Sequence, residues 1–322
     1  MRTGTFDGGL LEYPDEVSFA FNRAIIRVTT GAETTFTIGN YTDIRKPKNG
    51  KIEIDVSKYM ELVLAGEQSK TITITIKNAN ATFSFTTLCM WGVIGVGETF
   101  NAPRRIIWFR SYPFRVTMYV PQGATVEKRY DDIQDYLPMS SVPGINNFDP
   151  ANSIPAAKEK AYIRVNATEG FSTFDYTFDD TFKSVGSGEV ENELIIDNKD
   201  CGIYLRWIDL HGFYQYYLFD AGTEKQDTSD YGDTLTSYQD NVALQRPYGR
   251  TVKRSFNCCA VSVEEDIAET ILSVAASAKV DLFHEGGFIP VRIGTTTITK
   301  SSDHLQDIEI EVLLPDKNSQ TL

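Results

Sequence analysis

The chain is short of the side chains on which most catalysis and metal binding depend. Only three histidines, His211, His284 and His304, occur in 322 residues. None sits in an HExxH pattern, and no two cysteines form a Cys-x-x-Cys pair, so the usual zinc signatures are missing. No glycine-rich loop ends in the lysine that cradles a phosphate. Gly92, Gly95 and Gly97 in "WGVIGVG" run into "ETFNAPRR", which lacks the helical continuation of a nucleotide-binding loop. No segment approaches the roughly 20 apolar residues of a membrane-spanning helix. The opening "MRTGTFDGGLLEYPDEVSFAF" has no apolar core behind a basic start, so neither membrane insertion nor a conventional signal peptide is expected. Positive charge is scarce as well. Against 44 acidic residues stand 31 Lys and Arg, for a net charge of -13, which speaks against a nucleic-acid partner. Cys89, Cys201, Cys258 and Cys259 are too few for a disulfide scaffold and are expected to be free, mostly buried thiols.

What the chain has is alternation. In "KTITITIKNANATFSFTT", Ile72, Ile74 and Ile76 share one face and Thr71, Thr73 and Thr75 the other. That is the period of a half-buried strand. "KNANA" can turn the chain, and Phe83 and Phe85 resume an apolar face, so a hairpin is expected. "VSFAF", "AIIRVTT", "TTFTIG", "KIEIDVS", "MELVLA" and "RRIIWFRSYPFRVTMYVP" carry the same strand character. Strands with one apolar face need a second layer, and a β-sandwich-like domain over residues 1–135 is the simplest solution. Pro138, Pro143, Pro150 and Pro155 then crowd one stretch, read as a linker or surface crossing over 136–158.

Residues 159–322 read as a second β-rich domain with one packed helix. "SVEEDIAETILSVAASAKVDLF" places Ile267, Ile271, Leu272, Ala275 and Ala276 at helical spacing. Acids at its start favour the positive end of the helix dipole, so a helix is expected near 263–283. "FIPVRIG", "TTTITK" and "DIEIEVLLP" close the domain as strands, and "DTSDYGDTLTSYQDNVALQRPYGR" reads as a long loop with some strand content. The expected class is therefore mainly β in two domains.

Candidate chemistry is thin. Asp209 and His211 would share a face of a strand, but no serine in a nucleophile-elbow pattern accompanies them. Asp179–Asp180 and Glu264–Asp266 supply paired carboxylates, without the separation across a cleft that glycoside hydrolysis needs. No catalytic residue, cofactor or metal site is expected. Aromatics are the stronger feature. "CGIYLRWIDLHGFYQYYLFDAG" reads as a hairpin turned at Gly212. Trp207, Tyr214, Tyr216, Tyr217 and Phe219 in it are either core or a candidate assembly surface.

Two stretches, "YPDEVSFAFNRAIIRV" and "YLRWIDLHGFYQYYLF" with its continuation to "GGFIPVRIGTTTITKSSDHLQDIEIEVLLP", resemble structural proteins of tailed bacteriophages and prophages of Bacteroidetes, in particular tail or baseplate-associated ones. The resemblance implies a protein that acts by assembly, made in the bacterial host cytoplasm and carried in the virion. Its partners would be other virion structural proteins and itself as a homo-oligomer, with a host surface glycan as a further candidate. It transfers no catalytic residue. The alternatives are a carbohydrate-binding or adhesin-like surface protein, and a polysaccharide or cell-wall hydrolase.

Overall fold

The computed structural model describes residues 1–121, 123–130, 135–150, 159–167, 174–177, 182–184, 188–239, 242–300, 305–315 and 317–321. The chain is mainly β, with several sheets and a short helical region near the C-terminus. It divides into two compact units. The first holds Met1–Trp108, Pro113–Asp197 and Ile208–Tyr214; the second holds Phe109–Tyr112, Asn198–Trp207 and Gln215–Leu322.

The first unit opens with a sandwich. One sheet orders the strands Arg2–Phe6, Gly9–Tyr13, Ile25–Thr29 and Lys51–Asp55. The other orders Val17–Phe19, Thr82–Met90, Ser69–Lys77, Thr34–Ile38 and Tyr41–Arg45. Phe6, Leu11, Ile26 and Val28 from the first meet Phe36, Ile38, Ile72, Ile74, Ile76 and Phe85 from the second in one buried cluster. Each such side chain contributes about 1.5–3 kcal/mol on leaving water. The expected hairpin is present, with Ile74 opposite Phe85 and Ile76 opposite Phe83. Its turn is held by Asn78, whose Oδ1 accepts from the backbone N–H groups of Asn80 and Ala81 at 2.9 and 2.8 Å.

One element differs from its expected type. "MELVLA" falls on the helix Ser57–Leu64, not on a strand. Met60 and Leu64, four residues apart, bury one stripe against the sandwich core. The spacing is helical, and a short apolar run does not by itself distinguish the two periods.

Further along, Arg105–Phe109, Glu189–Asp197, Lys160–Asn166, Thr125–Tyr130 and Leu137–Met139 form a five-stranded sheet, and Val116–Val120 pairs with Gly144–Phe148. Leu137–Met139 and Gly144–Phe148 lie in the proline-rich stretch; residues 151–158, with Pro155, lie outside the described residues.

The second unit is built on a closed ring of strands. The order is Tyr214–Gln239, Ile203–Ile208, Val280–His284, Gly287–Lys300, Leu305–Leu313 and Val242–Glu264, and the last pairs back with the first. Closure removes the edges that an open sheet would leave. Ile308, Ile310 and Val312 alternate inward along one strand. The helix Glu265–Leu272 continues as the 3-10 turn Ser273–Ala276, and buries Ile267, Ala268 and Ile271. Glu265 and Asp266 occupy its first turn, where the helix dipole favours negative charge.

Candidate assembly surface

The aromatic hairpin is the natural place to begin. Its strands belong to the second unit. Trp207 is 1% exposed and donates its indole N–H to Ser273 Oγ at 2.8 Å. Tyr216 is 6% exposed and stacks on the buried Tyr204, ring centroids 6.0 Å apart. Phe219 is fully buried. Tyr217 is half-buried and meets Phe219 and Phe109 edge-on at 4.9 and 5.5 Å. Trp207, Tyr216 and Phe219 are therefore core residues, closed to a partner in this fold. Of the five aromatics, Tyr214 and Tyr217 keep partial exposure.

The turn of this hairpin, Ile208–Tyr214, is counted in the first unit. Asp209 organises it. Its Oδ1 accepts from the backbone N–H groups of His211 and Phe213, both at 2.9 Å. The carboxylate so placed is a turn-former. Gly212 has φ +82°, and a Cβ there would stand 2.2 Å from the Trp91 carbonyl oxygen. Phe213 is buried among Val17, Phe19, Met90, Ile94, Phe100 and Tyr119. The Arg104 guanidinium lies over the Phe213 ring at 4.7 Å and donates to the Thr117 carbonyl at 2.5 Å. Burial lowers the Arg104 pKa, and the charge of Asp209 opposes that shift. His211 Nε2 lies 3.4 Å from Glu98 Oε2 on the surface. The turn thus has its polar groups committed to holding its own shape.

A different segment of the same strand is open. From Asp220 to Ser229 every residue is exposed. The strand runs on to Gln239, turns, and returns from Val242, with register from Glu224 opposite Phe256 to Gln239 opposite Val242. At about 3.3 Å per residue this ribbon extends roughly 50 Å. The neighbouring strand Ile203–Ile208 has six residues and serves only the root. Among the described residues no strand pairs with the outer edge of 224–239. Lys317–Thr321 lies along the returning strand near Gly249–Val252. Near the tip, Tyr238 is 78% and Val242 57% exposed.

The two strands of the ribbon differ in charge. The outgoing one carries Glu224, Asp227, Asp230 and Asp233 against Lys225; the returning one carries Arg246, Arg250, Lys253 and Arg254, with no acid from 242 to 263. Register sets Asp227 opposite Lys253 and Asp230 opposite Arg250, and Arg254 pairs with Glu224. Opposite charges across a ladder stabilise it by about 0.2–1 kcal/mol each. The stretch read from sequence as a long loop is this ribbon. Its apolar residues do not alternate, because neither face packs on a core. The legible signal was the acid-rich run facing a base-rich run across "QDN".

Elsewhere, an open polar groove of about 220 Å³ is lined by Arg2, Glu16, Thr71, Thr86, Thr87 and Tyr119, among others. Burial, and secondarily the Glu16 charge, push the Tyr119 phenol up to about 12. Among the described residues no group of three His, Cys, Asp or Glu side chains could hold a metal ion. Asp179, Asp180 and His304 lie outside the described residues. Glu265 and Asp266 sit at the helix start, as described above.

No family model matches the chain, and no curated protein matches it. Among solved structures, it aligns with an I-band fragment from titin at 10% identity over 99% of this chain and 94% of that one. The TM-score is 0.17, too low for the likeness to bear on fold or function.

Proposed function

We propose that the chain is a structural component of a phage or prophage tail or baseplate, acting by assembly and without turnover. The observation that carries this reading is the ribbon of residues 224–254. A two-stranded ribbon exposed on both faces is marginal by itself in water. Building one about 50 Å long on a closed ring of strands makes sense if a partner covers it. Its synthesis in the host cytoplasm and export within the particle fit a chain that opens with no apolar leader pattern. Negative-stain microscopy and light scattering at increasing concentration test the reading. Rings, stacks or a defined oligomer are the expected result, and a strict monomer at high concentration would defeat self-assembly.

The glycan-binding reading has one observation behind it, the groove beside Arg2, Glu16 and the three threonines. Its Tyr119 is 7% exposed, so it offers little aromatic plane for a sugar to stack on. A glycan array probed with the intact chain separates the two readings.

A further inference from the structure

The ribbon also indicates its partner. We propose that it joins successive copies of this chain head to tail, the acidic Glu224–Asp233 run of one copy lying along the basic Arg246–Arg254 run of the next. The inference rests on the assembly reading above and deepens it by naming the partner.

Three observations support a second copy. The first is charge sorting. Two ribbons meeting by their free outer edges would set the Glu224, Asp227, Asp230 and Asp233 run of one against the same run of the other. Like charges directly opposed are destabilising, so a two-fold, edge-to-edge contact is disfavoured. A translation that brings the outgoing strand of one copy to the returning strand of the next sets opposite charges together. Such a contact uses two different patches of the same chain, which is the heterologous geometry of rings and stacks.

The second is scarcity. The chain carries -13 overall, so its copies repel one another in general. Arg246, Arg250, Lys253 and Arg254 stand within nine positions, with no acid among them. They form a concentrated complement to the acidic run on every copy. The third is capacity. Exposed pairs such as Arg254 with Glu224 contribute little within one chain. A guanidinium has five donors, so the basic side chains can hold a neighbour's carboxylate as well as their own. Lys317–Thr321 already lies along Gly249–Val252. Contact on that side is therefore made by side chains and ribbon faces, not by a further backbone ladder.

Charge reversal in complementary pairs tests this. One variant, Asp227→Lys with Asp230→Lys and Asp233→Lys, has two basic strands. The other, Arg246→Glu with Arg250→Glu and Lys253→Glu, has two acidic ones. Each alone should associate at least about tenfold more weakly than the intact chain in sedimentation velocity, since three reversed contacts need supply only about 1.4 kcal/mol between them. An equimolar mixture should recover association, because unlike ribbons then alternate. A third variant, with Gln226–Arg254 replaced by Asn-Gly, keeps the ring and removes the ribbon; it should be monomeric. If this short variant assembles as the intact chain does, the ribbon contact is wrong and the assembly reading stands. If either reversed variant associates normally alone, or the mixture fails to recover, head-to-tail charge pairing is wrong. If the intact chain is monomeric throughout, the assembly reading itself fails.

Discussion

At the scale of single residues, Gly212 and Phe213 test the hairpin turn most directly. A Gly212→Ala chain must hold alanine at φ +82° and place its Cβ 2.2 Å from the Trp91 carbonyl. Strained backbone of this kind costs about 1–3 kcal/mol, and the clash adds to it, so urea denaturation should show a clear loss of stability. Phe213→Ala should cost more, about 3–5 kcal/mol, because its ring fills a cluster with Phe19 and Phe100. The thiols give a second test. Burial pushes Cys89 and Cys258 up to about 12, while Cys201 is exposed. Cys201 should react first with a thiol reagent at pH 8, and the two buried thiols only on unfolding. The linkage has a definite sign. These groups are protonated in both states below their model value of 9.0, and above it only the unfolded chain ionises them. Stability should therefore fall from about pH 9 toward pH 12, by up to roughly 1.4 kcal/mol per pH unit for each thiol. Replacing Cys89 with valine should flatten that slope in thermal melts.

At the scale of elements, the ribbon should behave unlike the ring that carries it. Amides of 226–239 and 242–253 are expected to exchange quickly in the isolated chain, because neither face of the ribbon is backed by a core. Those of Leu305–Leu313, paired on both sides, should exchange slowly. Assembly should slow the ribbon and leave the ring unchanged, which hydrogen exchange by mass spectrometry resolves. The elements best read from sequence were those with one buried face. Ile72, Ile74 and Ile76 alternate with threonine because one side meets the sandwich core, and Ile267 and Ile271 follow helical spacing for the same reason. The aromatic hairpin was legible as a hairpin, and Gly212 as its turn. Its burial was not legible, because aromatics on both faces of a strand do not say what covers them. The ribbon was illegible by the same rule in reverse. With no buried face it has no period, and Gly232, Pro247 and Gly249 read as loop residues.

At the scale of the whole molecule, salt separates two kinds of self-association. Copies carrying -13 repel, and added salt screens that repulsion. A contact through apolar surface should therefore tighten as salt rises from low to physiological concentration. A contact through charge-sorted ribbons should loosen. Light scattering across a salt series gives the sign. Both compact units are discontinuous in sequence. The first takes in Ile208–Tyr214 from beyond the strand Ile203–Ile208, and the second takes in Phe109–Tyr112 from before it. A chain ending at Asp197 lacks Phe213 and leaves the cluster of Phe19, Ile94 and Phe100 unfilled; it should bind a hydrophobic dye that the full chain does not. The order of synthesis is constrained in turn. The sandwich has all its strands once Met90 has left the ribosome, but the cluster around Phe19 waits for a residue made 123 positions later, at Phe213 (213 less 90). Folding on the ribosome cannot then proceed one finished unit at a time. The nascent chain must carry an open hydrophobic seam through most of its translation, and that interval is when it is most exposed to capture by a chaperone or by another copy.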